Sequence, residues 1–235
     1  MHNAALREVG LGQWRYQLLP VPPELFCEAV RALPGAGFRG ANVTIPHKRA
    51  ALALADEVSE RAQAIGAANT LLFADGRIRA ENTDAPALIA ALPAPIGGRS
   101  ALVVGAGGSA RAAVWALLEA GASEVRVWNR TPGRARELAR QLGASAIAQP
   151  TAADLLVNCT PVAPAVDLER YGCVADFAYG EGETALVAAA RSRGIPAVDG
   201  LELLVRQGAL SFELFTGRPA PLATMRAAVA IVRPR

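Results

Sequence analysis

The sequence predicts an α/β protein of two domains, one of them built on a doubly wound parallel sheet. Three observations predict it. From Ala101 onward, short apolar runs alternate with amphipathic helical stretches, the pattern of βαβ units. The first of these runs ends in Val103-Val104-Gly105-Ala106-Gly107-Gly108-Ser109-Ala110-Arg111, a glycine-rich turn leading from a strand into a helix. Ahead of that region the texture differs, and 235 residues suffice for two cores.

Taken in order, residues 3–9 read as a helix stopped at Gly10, and Trp14 to Val21 reads as a strand. Pro22-Pro23 opens a helix that runs through Leu33 and stops at Pro34-Gly35. Asn42 to Ile45 is a strand closed by Pro46, and an alanine-rich helix follows from Arg49 to Ala55, with a shorter one at Ser59 to Ile65. Asn69 to Phe73 and Arg77 to Ala80 flank Ala74-Asp75-Gly76, a hairpin signal. Asn82-Thr83-Asp84 precedes a helix to about Leu92, and Pro93-Ala94-Pro95 with Gly97-Gly98 punctuates the chain. Strands at Ala101–Val104, Glu124–Trp128, Asp154–Asn158, Cys173–Phe177 and Pro196–Val198 then alternate with helices at Ala110–Ala120, Arg134–Leu142 and Thr184–Arg193, and Gly200 opens a helix over Leu201–Gln207.

Composition excludes several functions. The apolar content is 52% with only 5% aromatics, which suits closely packed helices on a sheet. Net charge is +3 and the arginines are scattered, so neither nucleic acid nor an anionic membrane is an expected partner. Cys27, Cys159 and Cys173 are odd in number, far apart and without a Cys-x-x-Cys pair. A disulfide framework or a metal site is not expected, and a reducing cytoplasm fits. No apolar run approaches the roughly 20 residues of a membrane span, and the start lacks a signal-peptide pattern.

Lys48 is the only lysine; every other residue among the 24 basic side chains is arginine. Arginine supplies charge and hydrogen bonds but stays protonated, so it cannot serve as a base. A lone lysine survives either by compositional drift or because its proton must move, and context favours the second. Lys48 opens a helix at a strand's end, where open α/β sheets bind ligands.

The glycine loop has its own chemistry. Gly105 permits a tight turn, Gly107 lets backbone approach a pyrophosphate, and the helix start after Gly108 and Ser109 offers N–H groups to phosphates. Ala106 separates the two glycines, and Ala110 takes the third small position. A site for an unphosphorylated ribose carries an acidic residue about 20 residues further on. Here the strand ends in Asn129-Arg130-Thr131, and Arg130 with Arg134 suits a 2′-phosphate, favouring NADP over NAD.

Asn42-Val43-Thr44-Ile45-Pro46-His47-Lys48, Ile65-Gly66-Ala67-Ala68-Asn69-Thr70, Asn82-Thr83-Asp84, the Gly105 loop and Asn129-Arg130-Thr131 together resemble the shikimate dehydrogenase family. Asp176-Phe177-Ala178-Tyr179 with Thr184, Asp199-Gly200-Leu201 with Leu204-Val205 and Gln207, and Ser211-Phe212 with Thr216-Gly217 stand in the same order, so the resemblance covers nearly the whole chain. It implies NADPH-linked reduction of 3-dehydroshikimate to shikimate by a Rossmann-type domain, residues 84–202. A discontinuous substrate domain, residues 1–83 and 203–235, completes the expected architecture, with the reaction in the cleft between them.

The resemblance also implies roles. Lys48 and Asp84 match the family's reacting lysine and aspartate. Thr44, Asn69, Tyr179 and Gln207 would hold the substrate. Gly105 to Ser109, Asn129 to Arg134, Phe177 and Gly200 would line the cofactor, and Glu60 aligns with an acidic position near it. Asp84 is also good N-cap chemistry, and Asn69 and Asn82 are also good turn residues, so both readings stay open for these. His2 and His47 receive no role. The expected enzyme is cytoplasmic, a monomer or homodimer, with a small molecule as partner.

The chain also departs from the pattern. The family normally begins with a strand and a Ser-x-Ser-Pro loop ahead of the segment resembling Met1 to Ala5, so the expectation is a true start further upstream. That strand would join a parallel sheet in the substrate domain. Ala85, Ala87, Ala163, Glu181 and Leu203 replace residues common in the family and would reshape the nicotinamide pocket. Two rivals are a quinate-type dehydrogenase and a non-catalytic NADP-binding paralogue. Arg130→Ala is expected to weaken NADP binding more than NAD binding, checked by titrating each cofactor. Equal losses would discard the 2′-phosphate reading.

Overall fold

A computed structural model of the chain describes residues 1–180 and 182–230. It divides into two compact units, one formed by Met1–Thr83 with the described residues from Val205 onward, the other by Asp84–Leu204.

The first unit opens with α1 (His2–Glu8). A single 3-10 turn, Pro23–Leu25, then leads into α2 (Phe26–Ala32), with proline at the first turn where its missing N–H costs nothing. Next come β1 (Gly40–Asn42), α3 (Lys48–Leu54), β2 (Glu57–Val58), α4 (Glu60–Ile65), β3 (Thr70–Ala74) and β4 (Arg77–Glu81). The sheet runs β1-β3-β4-β2, with β1/β3 and β3/β4 antiparallel and β2/β4 parallel. This mixed sheet corrects the expectation of a parallel one. Its cause is local: Asp75 and Gly76 take φ of 51° and 72°, and a turn with two positive φ values returns the chain alongside itself. Phe26, Val30, Leu54, Leu71, Phe73 and Ile78 form the core beneath.

Two expectations in this unit need correction. No strand forms at Trp14–Val21. Instead the Tyr16 N–H donates to Asn3 Oδ1 and the Tyr16 carbonyl accepts from Asn3 Nδ2, both at 2.8 Å, so a side-chain amide takes the place of a neighbouring strand. The strand expected at Asn42–Ile45 is shifted to Gly40–Asn42; the Val43 N–H still reaches the Asn69 carbonyl at 2.8 Å before the chain turns through a cis Ile45–Pro46 peptide.

The second unit holds α5 (Asp84–Ala91), β5 (Ser100–Val104), α6 (Gly108–Glu119), β6 (Glu124–Trp128), α7 (Pro132–Leu142), β7 (Ser145–Ala146), β8 (Ala153–Asn158), β9 (Tyr171–Asp176), α8 (Ala185–Ser192) and β10 (Ala197–Val198). The pairings within its six-stranded sheet are parallel, in the order β10-β9-β8-β5-β6-β7. Alternation along β5 fills both faces. Ala101 and Val103 pack with Leu117 and Leu138, whereas Leu102 and Val104 pack with Leu186 and Ala190. The sequence pattern did not signal β2 or β7, because two residues carry no periodicity.

The chain then continues through α9 (Gly200–Thr216) to α10 (Leu222–Ala230). The division between units falls inside α9, a helix longer than the segment expected from Leu201 to Gln207. Helix α10, which the sequence reading left out, packs on α1 within the first unit.

His2 shows what the first unit's core demands. Its ring is 5% exposed, stacked on Tyr16 at 4.1 Å. Burial, helped by the nearby amino-terminal charge, lowers its pKa to about 4. Unfolded His2 takes a proton near 6.5 and the folded residue only near 4, so stability is full above the higher value and falls as pH drops through that window. The loss amounts to about 3 kcal/mol. Urea unfolding at neutral pH and near pH 4 should show wild type losing about that much more than His2→Phe.

Candidate active site

In the first unit a buried polar cluster gathers where β3 and β4 meet α9. Asn69 is 2% exposed, and its carboxamide oxygen accepts the Thr83 N–H at 2.7 Å. Its nitrogen donates to Thr83 Oγ1 at 2.9 Å and to Gln207 Oε1 at 3.2 Å. Thr70 Oγ1 adds a 3.3 Å bond to Asn69 Oδ1 and accepts from Asn42 Nδ2 at 3.4 Å. Asn42 Oδ1 accepts in turn from Tyr16 Oη at 3.0 Å and Ser211 Oγ at 3.4 Å.

Lys48 lies next to this cluster along the backbone. The Ala68 N–H donates to the Lys48 carbonyl at 2.9 Å, which fixes the first turn of α3 against the residue preceding Asn69. Lys48 is 8% exposed, an unusual place for a side chain that is almost never buried without a partner. His47 just before it stacks on Phe26 with centroids 4.4 Å apart, and its Nε2 lies 3.0 Å from the Val21 carbonyl, so this histidine is a structural pin. Thr44 is exposed in the turn ahead of it.

Glu60 is exposed at the start of α4, beside an open hollow of about 730 Å³ lined also by Glu57, Ser59, Arg61 and Arg79. Its neighbours hold the end of β4. Glu81 is 6% exposed, and its Oε1 accepts from Ser59 Oγ at 2.6 Å and the Asn82 N–H at 2.9 Å, with Arg61 at 3.2 Å. Asn82 takes the turn role, donating to the Ala67 carbonyl at 2.9 Å.

In the second unit the strand register decides the site. Val104 pairs with Trp128 and with Asn158, and Asn158 pairs with Asp176. The residues that follow, Gly105, Asn129, Cys159 and Phe177, therefore leave the sheet at one level. That level is the carboxyl edge, and chain order reverses between β5 and β8, where open parallel sheets bind ligands.

Gly105 has φ of 120°, and a Cβ there would meet Thr160 and Cys159 at 3.2 and 3.3 Å. A Cβ on Gly107 would meet nothing within 4 Å, so the backbone lies open, and no side chain caps the start of α6. Arg130 and Arg134 are exposed, and neither forms an ion pair among the described residues. Asn129 Nδ2 donates to the Thr131 carbonyl at 3.0 Å, shaping that loop. These groups fit a dinucleotide with a 2′-phosphate.

Beneath the rim lies a second buried network. Asp176, 1% exposed, accepts from Asn158 Nδ2 at 2.9 Å, the Ala178 N–H at 3.0 Å and Thr184 Oγ1 at 2.7 Å. It ties down both ends of the segment that carries Phe177 and the exposed Tyr179. Gly200 closes against it, since a Cβ there would collide with the Ala178 carbonyl oxygen.

Comparison with known proteins matches three stretches of the chain. Residues 1–71 match the shikimate dehydrogenase substrate binding domain, residues 90–160 the shikimate / quinate 5-dehydrogenase family and residues 200–230 the shikimate 5′-dehydrogenase C-terminal domain. The shikimate dehydrogenase (NADP(+)) of Methylobacterium radiotolerans is 48% identical over 89% of this chain and 83% of its own length. The chain belongs to the shikimate dehydrogenase family. The shikimate 5-dehydrogenase of Thermus thermophilus, solved with NADP(H) and shikimate, superposes with a TM-score of 0.89 at 40% identity, covering 98% of this chain and 92% of that one. The 5-ketofructose reductase of a Gluconobacter strain shares the fold at a TM-score of 0.86 and 28% identity, over 98% and 92%.

Of the residues singled out from sequence, the first unit brings together Asn69 and Gln207, with Lys48 beside them, while Thr44 and Glu60 stay at its surface. Asp84 and Tyr179 belong to the second unit. Helix α5 begins at Asp84, so this carboxylate stands at the helix's amino end, with Thr83 just before it. Ala85, Ala87 and Leu203 are buried in the second unit, Ala163 is exposed, and Glu181 lies outside the described residues. The sequence reading gave no role to Thr83, Thr70, Asn42 or Ser211. All four stood inside quoted motifs of the family, and only their contacts in three dimensions give them a part in the cluster.

Asp176→Ala should strand three donors below the carboxyl edge of the second unit. Urea denaturation should show a loss of about 2–4 kcal/mol, as the cost of unpaired buried groups implies. A change under about 0.5 kcal/mol would mean that the segment does not depend on the carboxylate.

Proposed function

We propose that the chain catalyses the NADPH-dependent, reversible reduction of 3-dehydroshikimate to shikimate. It is an NADP-dependent oxidoreductase acting on a secondary alcohol, a step in aromatic amino-acid biosynthesis. The observation that carries the chemistry is Lys48: the chain's sole lysine, buried at the start of α3 and joined through Ala68 to Asn69.

The bound nicotinamide supplies the hydride in reduction and accepts it in oxidation. The residues of the chain supply what hydride transfer leaves undone. In oxidation Lys48 takes the hydroxyl proton as the carbinol carbon gives up its hydride; in reduction it returns that proton to the carbonyl oxygen. Asp84 orients the substrate hydroxyl and shares the proton. Thr44, Asn69, Gln207 and Tyr179 hold the hydroxyls and carboxylate. The Gly105–Ser109 turn seats the pyrophosphate, Asn129, Arg130, Thr131 and Arg134 the phosphorylated ribose, and Phe177 and Gly200 the nicotinamide end, with Glu60 an acidic neighbour. Residues 84–202 act as the cofactor domain, and 1–83 with 203–235 as the substrate domain.

The family match over residues 90–160 includes quinate enzymes in its name, so the acid preferred is a question for a substrate panel. Among the described residues, no helix is long and apolar enough to cross a membrane, and Cys27, Cys159 and Cys173 are free. The reading extends to a cytoplasmic enzyme, acting as monomer or homodimer.

Lys48→Ala should lower shikimate-dependent NADP reduction by about 10²–10⁴-fold with little loss of NADP affinity. NADPH absorbance and a cofactor titration measure the two. Unchanged turnover would remove Lys48 from the proton's path, and NADP binding without turnover in the wild type would favour a non-catalytic paralogue.

A further inference from the structure

The loop that follows β8 is held by a side chain of the strand itself. Asn158, the last residue of β8, takes a two-point grip on Thr160: its Oδ1 accepts the Thr160 N–H at 3.1 Å, and its Nδ2 donates to the Thr160 carbonyl at 3.1 Å. Among the described residues, neither backbone group of Thr160 has another partner. The Thr160 hydroxyl also lies 2.8 Å from Asn158 Oδ1 and 2.6 Å from the Val162 carbonyl. That last contact joins two residues of the same loop and does not tie the loop to the sheet.

Asp176 sets the orientation of the grip. The other Nδ2 hydrogen of Asn158 goes to Asp176 Oδ1 at 2.9 Å, and Asp176 is itself held by the Ala178 N–H and Thr184 Oγ1. A flipped carboxamide would set Oδ1 against the carboxylate and Nδ2 against the Thr160 N–H, so only one orientation is satisfied. Asn158 is 0% and Asp176 1% exposed, and water does not stand in for a lost partner.

What the grip holds is a wall. The Cβ that Gly105 lacks would meet Thr160 Cγ2 at 3.2 Å and Cys159 Cβ at 3.3 Å, so the loop presses on the turn where φ is 120°. Cys159 is fixed by its N–H on the Val104 carbonyl at 2.8 Å. Thr160, one residue further on, has the Asn158 carboxamide in place of a neighbouring strand.

We propose that Asn158 is a positioning residue for the cofactor: oriented by Asp176, it holds Thr160 as the wall on which the Gly105 turn closes around a pyrophosphate. The inference rests on the pyrophosphate-seating role given above to the Gly105–Ser109 turn. It adds that the turn is shaped from β8 by a side chain with no surface to offer a ligand.

Asn158→Asp keeps the shape and the acceptor, removes both donors and sets a carboxylate against Asp176; Asn158→Ala removes the grip. Two ligands separate a local effect from a general one: NADP, and adenosine 2′-monophosphate, which has the phosphorylated ribose and no pyrophosphate. Both variants should bind NADP about tenfold or more weakly, as the loss of buried hydrogen bonds implies, with affinity for adenosine 2′-monophosphate within about twofold of wild type. Calorimetric titration measures both, on variants whose circular dichroism matches wild type. Unchanged NADP affinity, or an equal loss for the two ligands, would overturn the proposal.

A second readout needs no variant. The Thr160 N–H, followed by hydrogen exchange in wild type, should be protected. Exchange at the rate of an open loop amide overturns the proposal, whether or not the variants fold. A wild type that fails to bind NADP would remove the cofactor reading itself, whereas variants that bind it as wild type does would remove only the role of Asn158.

Discussion

A polar group withdrawn from water must find a partner, and each unit meets that demand beside its candidate site. In the first, Asn69 places its carboxamide against Thr83, Thr70 and Gln207. In the second, Asp176 draws Asn158, Ala178 and Thr184 to one carboxylate. Leaving any of these unpaired costs on the order of 1–3 kcal/mol, comparable to a sizeable part of a domain's net stability. The same bonds that stabilise each unit therefore hold candidate binding groups in place, and rigidity at the site needs no additional device.

Strand order and register do the corresponding work for the glycine loop. Because β5 sits between β6 and β8 in a parallel sheet, the residues after each strand emerge together at the carboxyl edge. Gly105 can then turn at φ of 120° against Thr160 and Cys159, contacts supplied by the loop after β8 rather than by its own neighbours in sequence. The fingerprint is local, but the surface that presses the turn into shape comes from more than 50 residues along the chain.

That separation explains what could be read from sequence. Asp75-Gly76 and the Gly105 turn were legible because the backbone conformations they permit are properties of the residues themselves. Trp14–Val21 misled because its pattern suits a strand, while its actual partner is the side chain of Asn3. Strands β2 and β7 were too short to carry a period. In the site, Lys48 stood out by its uniqueness, but the bond between Asn69 and Gln207 joins residues 138 apart, and no spacing rule reaches that far. Thr83 was visible within a motif, and its grip on Asn69 only in three dimensions.

The near-total preference for arginine leaves this chain with a single ε-amino group, held at 8% exposure on the first turn of α3. Any isotope placed in lysine reports from that one position, and any lysine-selective reagent that reacts with a side-chain amine marks the same position. The protein thus carries its own spectroscopic tag at the group assigned to move the proton, and no competing lysine blurs the signal.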